Sequence, residues 1–167
     1  MGVLHKLLDA VLFLFFLIIA VAAPLIDAQT CLPLEFFPDF LVDLKQWYSR
    51  EYGDYLFVEK PAFFIGIVWL ELLFQWPLSL INLYGIFAQA PWFNITCLIY
   101  GVSVFTSMIA ILAELIGSGK ASDKLVMVYF PFMGFAILAI LRGLLPNSSK
   151  THSSYGKRTP VPRKKRV

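Results

Sequence analysis

The sequence predicts an all-α integral membrane protein, a four-transmembrane-helix bundle with a lumenal helical cap between helices 1 and 2. Three observations carry that expectation. The 167 residues are 59% hydrophobic, with a mean hydropathy of +0.73, where a soluble domain is nearer to about half apolar. Four apolar runs lie at about residues 7–27, 61–85, 93–116 and 125–145. Each is long enough to cross a hydrocarbon core of ~30 Å at ~1.5 Å per helical residue. Between the first two lies residues 28–60, with Glu35, Asp39, Asp43, Glu51, Asp54 and Glu59 against Lys45, Arg50 and Lys60.

Residues 1–6 are a short N-terminal segment, placed in the cytosol, and the membrane domain runs over 7–145. Its first run, LLDAVLFLFFLIIAVAAPLI, has a rival reading. Lys6, a Leu/Phe core and AVAA resemble a secretory signal peptide, but the run exceeds the usual signal core of about 7–15 residues. An uncleaved helix is therefore expected. Cleavage after Ala28 would delete Asp27.

Pro33 and Pro38 punctuate the start of the acidic loop. In DFLVDLKQWYSREY, Phe40, Leu41, Leu44, Trp47 and Tyr48 recur at three- and four-residue spacing, which predicts an amphipathic helix that Gly53 ends. A cap lying on the membrane interface explains the Trp and Tyr by itself. In the sharper reading Trp47, Tyr48 and Phe57 fold over a pocket mouth as a lid.

The second run, PAFFIGIVWLELLFQWPLSLINLYG, carries Glu71 and Gln75 four residues apart, with Pro77 just after. A lone charged carboxylate at that depth costs ~2.5–3.5 kcal/mol on insertion scales. Glu71 is therefore expected to be protonated, paired or turned to a polar cavity. The available partner is Asp27. Two carboxyl groups sharing a low-dielectric site cannot both ionise cheaply. One anion beside one neutral acid makes an acceptor for a cationic amine or a sterol hydroxyl, and surrounding aromatics add cation–π attraction. Geometry leaves a gap, because Asp27 belongs near the lumenal boundary while Glu71 lies ~15 Å along a helix from Pro61.

FAQAPWF is a tight turn, so the second and third spans are antiparallel neighbours. Tyr100, Ser103 and Ser107 form one polar stripe on the third, beside Gly101. Packing is the default role of such residues, and pocket lining the alternative. In the fourth span Pro131 is expected to bend the helix and free a carbonyl. Pro24, Pro77 and Pro131 thus place a proline in three of four spans.

Residues 146–167 form a polar tail. From Arg142 onward there are eight of the chain's fourteen basic residues and no acid. The positive-inside rule puts this end in the cytosol, and four spans put the N-terminus there too. The sequons at Asn94 and Asn147 are then expected to be unglycosylated. The final KKRV sets Lys164 and Lys165 where a dilysine endoplasmic-reticulum retrieval signal has its lysines, an address read by a receptor. Cys31 and Cys97 fall toward opposite sides of the membrane, so neither a disulfide nor a metal site is expected. No cofactor and no nucleic-acid partner are implied.

The pieces, in order, resemble the sigma-2 receptor family, also called transmembrane protein 97, within the EXPERA group that includes the emopamil-binding sterol isomerase. IDAQTCLPLEFFP resembles its first-helix exit, LKQWYSREYGD its lumenal segment and ELLFQWP its second-helix signature. Weaker similarity continues through IYGVSVFTS and VYFPF, so about residues 7–145 are covered. The resemblance implies a homodimer and a pocket that opens to lipid. It implies that a carboxylate at Asp27 pairs with the amine of drug-like ligands, that Glu71 hydrogen-bonds to it, and that Asp54 is structural. It places Gln75, Trp47, Tyr48, Tyr100 and Ser107 near the pocket. Phe132 stands where a tyrosine is expected and Phe57 where a smaller aliphatic is, departures that bear on ligand selectivity.

The function expected is a non-enzymatic endoplasmic-reticulum receptor for sterols and cationic amphiphiles. The resemblance implies a role in sterol homeostasis and contact with a sterol transporter of the Niemann–Pick type C kind. The alternative is a sterol Δ8–Δ7 isomerase-like enzyme in which Asp27 or Glu71 moves a proton. His5 and His152, the chain's two histidines, lie near the termini, which disfavours a histidine-dependent mechanism. A structural role for the buried acids ranks last, because ionisable groups inside membranes are usually functional.

Overall fold

The computed structural model describes residues 3–145. The tail calls, including Lys164, Lys165 and Asn147, lie outside the described residues. Seven α-helices follow in order: α1 Val3–Leu25, α2 Asp39–Tyr52, α3 Tyr55–Glu59, α4 Ala62–Leu70, α5 Trp76–Phe87, α6 Phe93–Gly117 and α7 Asp123–Leu144. Short 3₁₀ turns at Asp27–Thr30 and Leu34–Phe36 separate α1 from α2, and a π turn at Glu71–Gln75 joins α4 to α5. No strand occurs among the described residues. Among the described residues, four segments are long and apolar enough to cross a membrane: His5–Thr30, Ala62–Phe87, Phe93–Gly117 and Asp123–Leu144.

The crossings pack through small residues and aromatics. A Cβ on Gly101 would lie 2.7 Å from the Ile140 backbone nitrogen, and one on Gly143 would lie 2.7 Å from that of Leu98. At both points α6 and α7 touch nearly backbone to backbone, which any larger side chain would prevent. Leu12, Phe15, Phe16 and Ile19 of α1 are buried against Tyr100, Val104 and Ala136. Phe15 stacks on Phe135 at 4.5 Å between centroids, so the first crossing is part of the core. The opposite faces are apolar and exposed, as Leu14, Val21, Leu73, Ile109 and Phe130 show. That pattern suits a surface solvated by lipid chains.

Two prolines find compensation in a neighbour or in the local helix geometry. Pro24 has no N–H to give the Ala20 carbonyl four residues back. The Trp76 indole donates to that carbonyl instead, at 3.0 Å. Pro77 likewise cannot donate, and its ring would strike the carbonyl of Leu73 in a regular helix. The chain widens just ahead of it into the π turn, where the Trp76 N–H reaches back five residues to the Glu71 carbonyl.

The cap is built from α2 and α3. Gly53 adopts φ 65° and ψ 37° after α2, a left-handed conformation in which a residue without a Cβ carries no strain. Asp54 then caps α3, accepting the Leu56 N–H at 3.1 Å. Lys124 pairs with Glu51 at 2.5 Å and Lys120 with Glu59 at 2.8 Å, tying the cap to the start of α7 and to the connector that precedes it. At the opposite end of the bundle, the Arg142 guanidinium donates to both carboxylate oxygens of Asp9, at 2.5 and 3.3 Å, and to Asn94 Oδ1 at 2.9 Å. The Asn94 amide nitrogen donates to the Leu145 carbonyl.

Candidate ligand-binding site

A cavity of about 270 Å³ lies between the four crossings, beneath the cap. That is near the lower end of small-molecule sites, roughly 300–1,000 Å³. Most of its wall is apolar. α1 contributes Phe15, Ile18, Ile19 and Ala22, and α6 contributes Val104, Met108 and Ile111. Its polar lining comes from Asp27, Tyr48, Glu71, Gln75, Tyr100, Ser107 and Tyr129.

Asp27 reaches the cavity because the first crossing tightens after Leu25 into a 3₁₀ turn. Gln29, 2% exposed, fixes that turn. Its Nε2 donates to the Leu25 carbonyl at 2.7 Å and to the Leu41 carbonyl at 3.2 Å, joining the end of α1 to the underside of α2. The Cys31 thiol lies 3.8 Å from the Ile65 carbonyl, so the exit of the first crossing runs beside the second turn of α4. The crossing continues past Asp27 to Thr30, and Ala28, Gln29 and Thr30 are buried. Asp27 and Glu71 line one cavity.

Glu71 and Gln75 are the first and last residues of the π turn, and both line the cavity. π turns interrupt α-helices mostly where function needs them. Gln75 Nε2 donates to Ser103 Oγ at 3.0 Å and to Ser107 Oγ at 3.2 Å, which fixes the amide against α6. Ser107, Tyr100 and Phe132 also line the space. The Tyr100 ring stands edge-on to Phe16 at 5.0 Å. Phe132 meets Phe15 at 6.1 Å. Tyr48 and Phe57 form the roof, edge to face at 6.0 Å, and Phe57 rests on Phe64 at 5.4 Å.

Two of the residues singled out in the sequence stand elsewhere. Trp47 does not line the cavity. It is 53% exposed and meets Tyr52 at 6.5 Å on the outer side of the cap. Leu41, Lys45 and Tyr48, spaced four and three apart, take the inner face of α2, and one residue's rotation of about 100° carries Trp47 off it. Asp54 lies behind the wall, fully buried, accepting the Tyr129 hydroxyl at 2.8 Å. Burial pushes the Asp54 carboxyl above its usual range, and its hydrogen bonds from Tyr129, Phe57, Leu56 and Tyr48 pull it back part of the way. The Tyr48 phenol is also pushed up, first by burial and then by Asp54 and Asp27.

Lys45 is the polar residue of this region that the sequence reading passed over as one base of a solvated loop. It is 7% exposed. Its signal was available, since it sits four residues after Leu41 on the inward stripe of an amphipathic helix. The Tyr129 wall was legible only as part of an apolar span.

A family model described as EXPERA (EXPanded EBP superfamily) matches residues 40–143, beginning beyond Asp27. The sigma intracellular receptor 2 of Xenopus tropicalis is 29% identical over 154 residues, covering 84% of this chain and 90% of that protein. Those of Homo sapiens and Macaca fascicularis are each 35% identical over 88 residues, 52% of this chain and 50% of theirs. The matched region takes in the cap, the π turn and three of the four crossings, and with it the chain belongs to the EXPERA family.

Proposed function

We propose that this chain is a sigma-2-receptor-like intracellular membrane receptor. It takes sterols and cationic amphiphiles from the bilayer into the cavity under the cap, with a role in sterol homeostasis or trafficking. The observation that carries this is that Asp27 and Glu71 both line one cavity whose wall is otherwise mostly apolar and aromatic. Apolar walls bind the ring system or chain of a lipid-like guest, and the carboxyl groups orient its one polar group. The relatives' name, sigma intracellular receptor 2, supports a receptor. The same resemblance favours an endoplasmic-reticulum membrane with both termini in the cytosol, a homodimer, and a sterol transporter of the Niemann–Pick type C kind as partner.

The test is saturable binding of a radiolabelled cationic amphiphile and of a radiolabelled sterol to the purified full chain. Asp27→Asn and Glu71→Gln are expected to lower affinity for the amphiphile by about tenfold or more, with the melting temperature retained. Binding unchanged in both variants would remove the carboxyl pair from the site. The EXPERA match favours a second reading, a sterol Δ8–Δ7 isomerase-like enzyme. Among the described residues no histidine lines the cavity, so proton transfer would rest on Asp27 and Glu71. Growth of an isomerase-deficient strain carrying this chain would establish that activity.

A further inference from the structure

The inward face of α2 carries a lysine where the amphipathic pattern wants an apolar side chain. The Lys45 ammonium donates to Thr30 Oγ1 at 2.7 Å and lies 4.3 Å from the centroid of the Phe57 ring. Thr30 belongs to the same 3₁₀ turn as Asp27, and Phe57 lines the cavity. A buried ammonium requires a counter-charge. The titratable groups near enough to act on it electrostatically are Asp27, Lys60, Cys31 and Asp54, and none of them forms an ion pair with it. Asp54 already receives hydrogen bonds from Tyr129 and Leu56 and lies behind the wall. Asp27, one 3₁₀ turn before the Thr30 that Lys45 bonds, is the carboxyl that both acts on Lys45 and lines the cavity.

We propose that Lys45 is the resident counter-cation of Asp27 and sets the ligand class, turning the site toward neutral, hydroxyl-bearing amphiphiles and away from cationic amines. This rests on the receptor reading above and divides the two ligand classes named there. An incoming ammonium would share Asp27 with an ammonium already in place, and like charges repel strongly in a dry site. A hydroxyl brings no charge. It can donate to the Asp27 carboxylate without setting a second cation beside Lys45. Burial, opposed by Asp27, brings the Lys45 ammonium down to about 8. Its charge is therefore present at neutral pH and fades in mild alkali, where the penalty on an amine should fade with it.

The experiment compares cholesterol with the aminosterol in which a primary amine replaces its hydroxyl, on the purified full chain. The wild type is expected to bind cholesterol more tightly. Lys45→Met is expected to raise aminosterol affinity by about tenfold relative to cholesterol. Lys45→Arg, which keeps the charge at all accessible pH, is expected to retain the hydroxyl preference. It should also abolish the rise in aminosterol affinity that the wild type shows from about pH 7 to 9. A wild type that prefers the amine, or a ratio that Lys45→Met leaves unmoved, overturns the inference while leaving the receptor reading intact. Binding of neither sterol overturns both.

Discussion

At the scale of single residues, the polar groups divide into those that hold the bundle and those that face the cavity. Arg142 belongs to the first kind. It is 3% exposed, fork-paired to Asp9 and bonded to Asn94, so one guanidinium joins α1, α6 and α7. Breaking a buried pair from one side leaves a charge stranded. Asp9→Asn is therefore expected to cost about 3–5 kcal/mol, read as a fall in thermal unfolding temperature in detergent. The paired change Asp9→Leu with Arg142→Leu is expected to recover most of it. Lys45 belongs to the second kind and carries a pH signature. Its ammonium titrates at about 8 in the fold against an ordinary 10.5, so the fold favours the neutral amine. The resulting stabilisation is complete above the ordinary value and is lost as pH falls through about 8. Thermal stability in detergent is expected to gain a contribution between those two values that Lys45→Met removes.

At the scale of elements, the four spans were legible because length and hydropathy decide whether a helix can cross a bilayer. α2 was legible from its period and Gly53 from its place at the end of that period. The π turn was not. Glu71, Gln75 and Pro77 read as an ordinary i, i+4 face with a kink after it, and no residue type announces a five-residue hydrogen bond. Its cause is nevertheless local. Removing one residue would return the turn to regular α-helix and drive the Pro77 ring onto a carbonyl. Deletion of Leu73, which is 72% exposed, is expected to destabilise the chain by about 3 kcal/mol. Adding Pro77→Ala is expected to restore most of that. Unfolding temperatures of the two variants and the double variant make the comparison. The inward turn of Lys45 and the outward turn of Trp47 were not legible for a related reason. Trp47 carries the larger aromatic surface, but the direction of a side chain on α2 depends on how the cap sits, and Gln29, twelve residues before Leu41, fixes that seat.

At the scale of the whole molecule, the cap is held in two unequal ways. Along its outer edge the pairs Lys120–Glu59 and Lys124–Glu51 are about half exposed. Exposed pairs contribute about 0–1 kcal/mol and weaken with salt. Lys120→Ala and Lys124→Ala are each expected to leave the unfolding temperature nearly unchanged, with any difference from wild type vanishing in molar salt. Along its inner side Gln29, Lys45 and Asp54 are buried and bonded to the crossings beneath. The cap thus rests on its polar underside, beside the roof that Tyr48 and Phe57 form over the cavity.

The indole of Trp76 occupies the carbonyl that Pro24 leaves open on another helix. Seating and emission are thereby linked, since an indole that loses its acceptor changes the wavelength at which it fluoresces. The second crossing carries a native optical gauge of whether the first is docked, readable without any label.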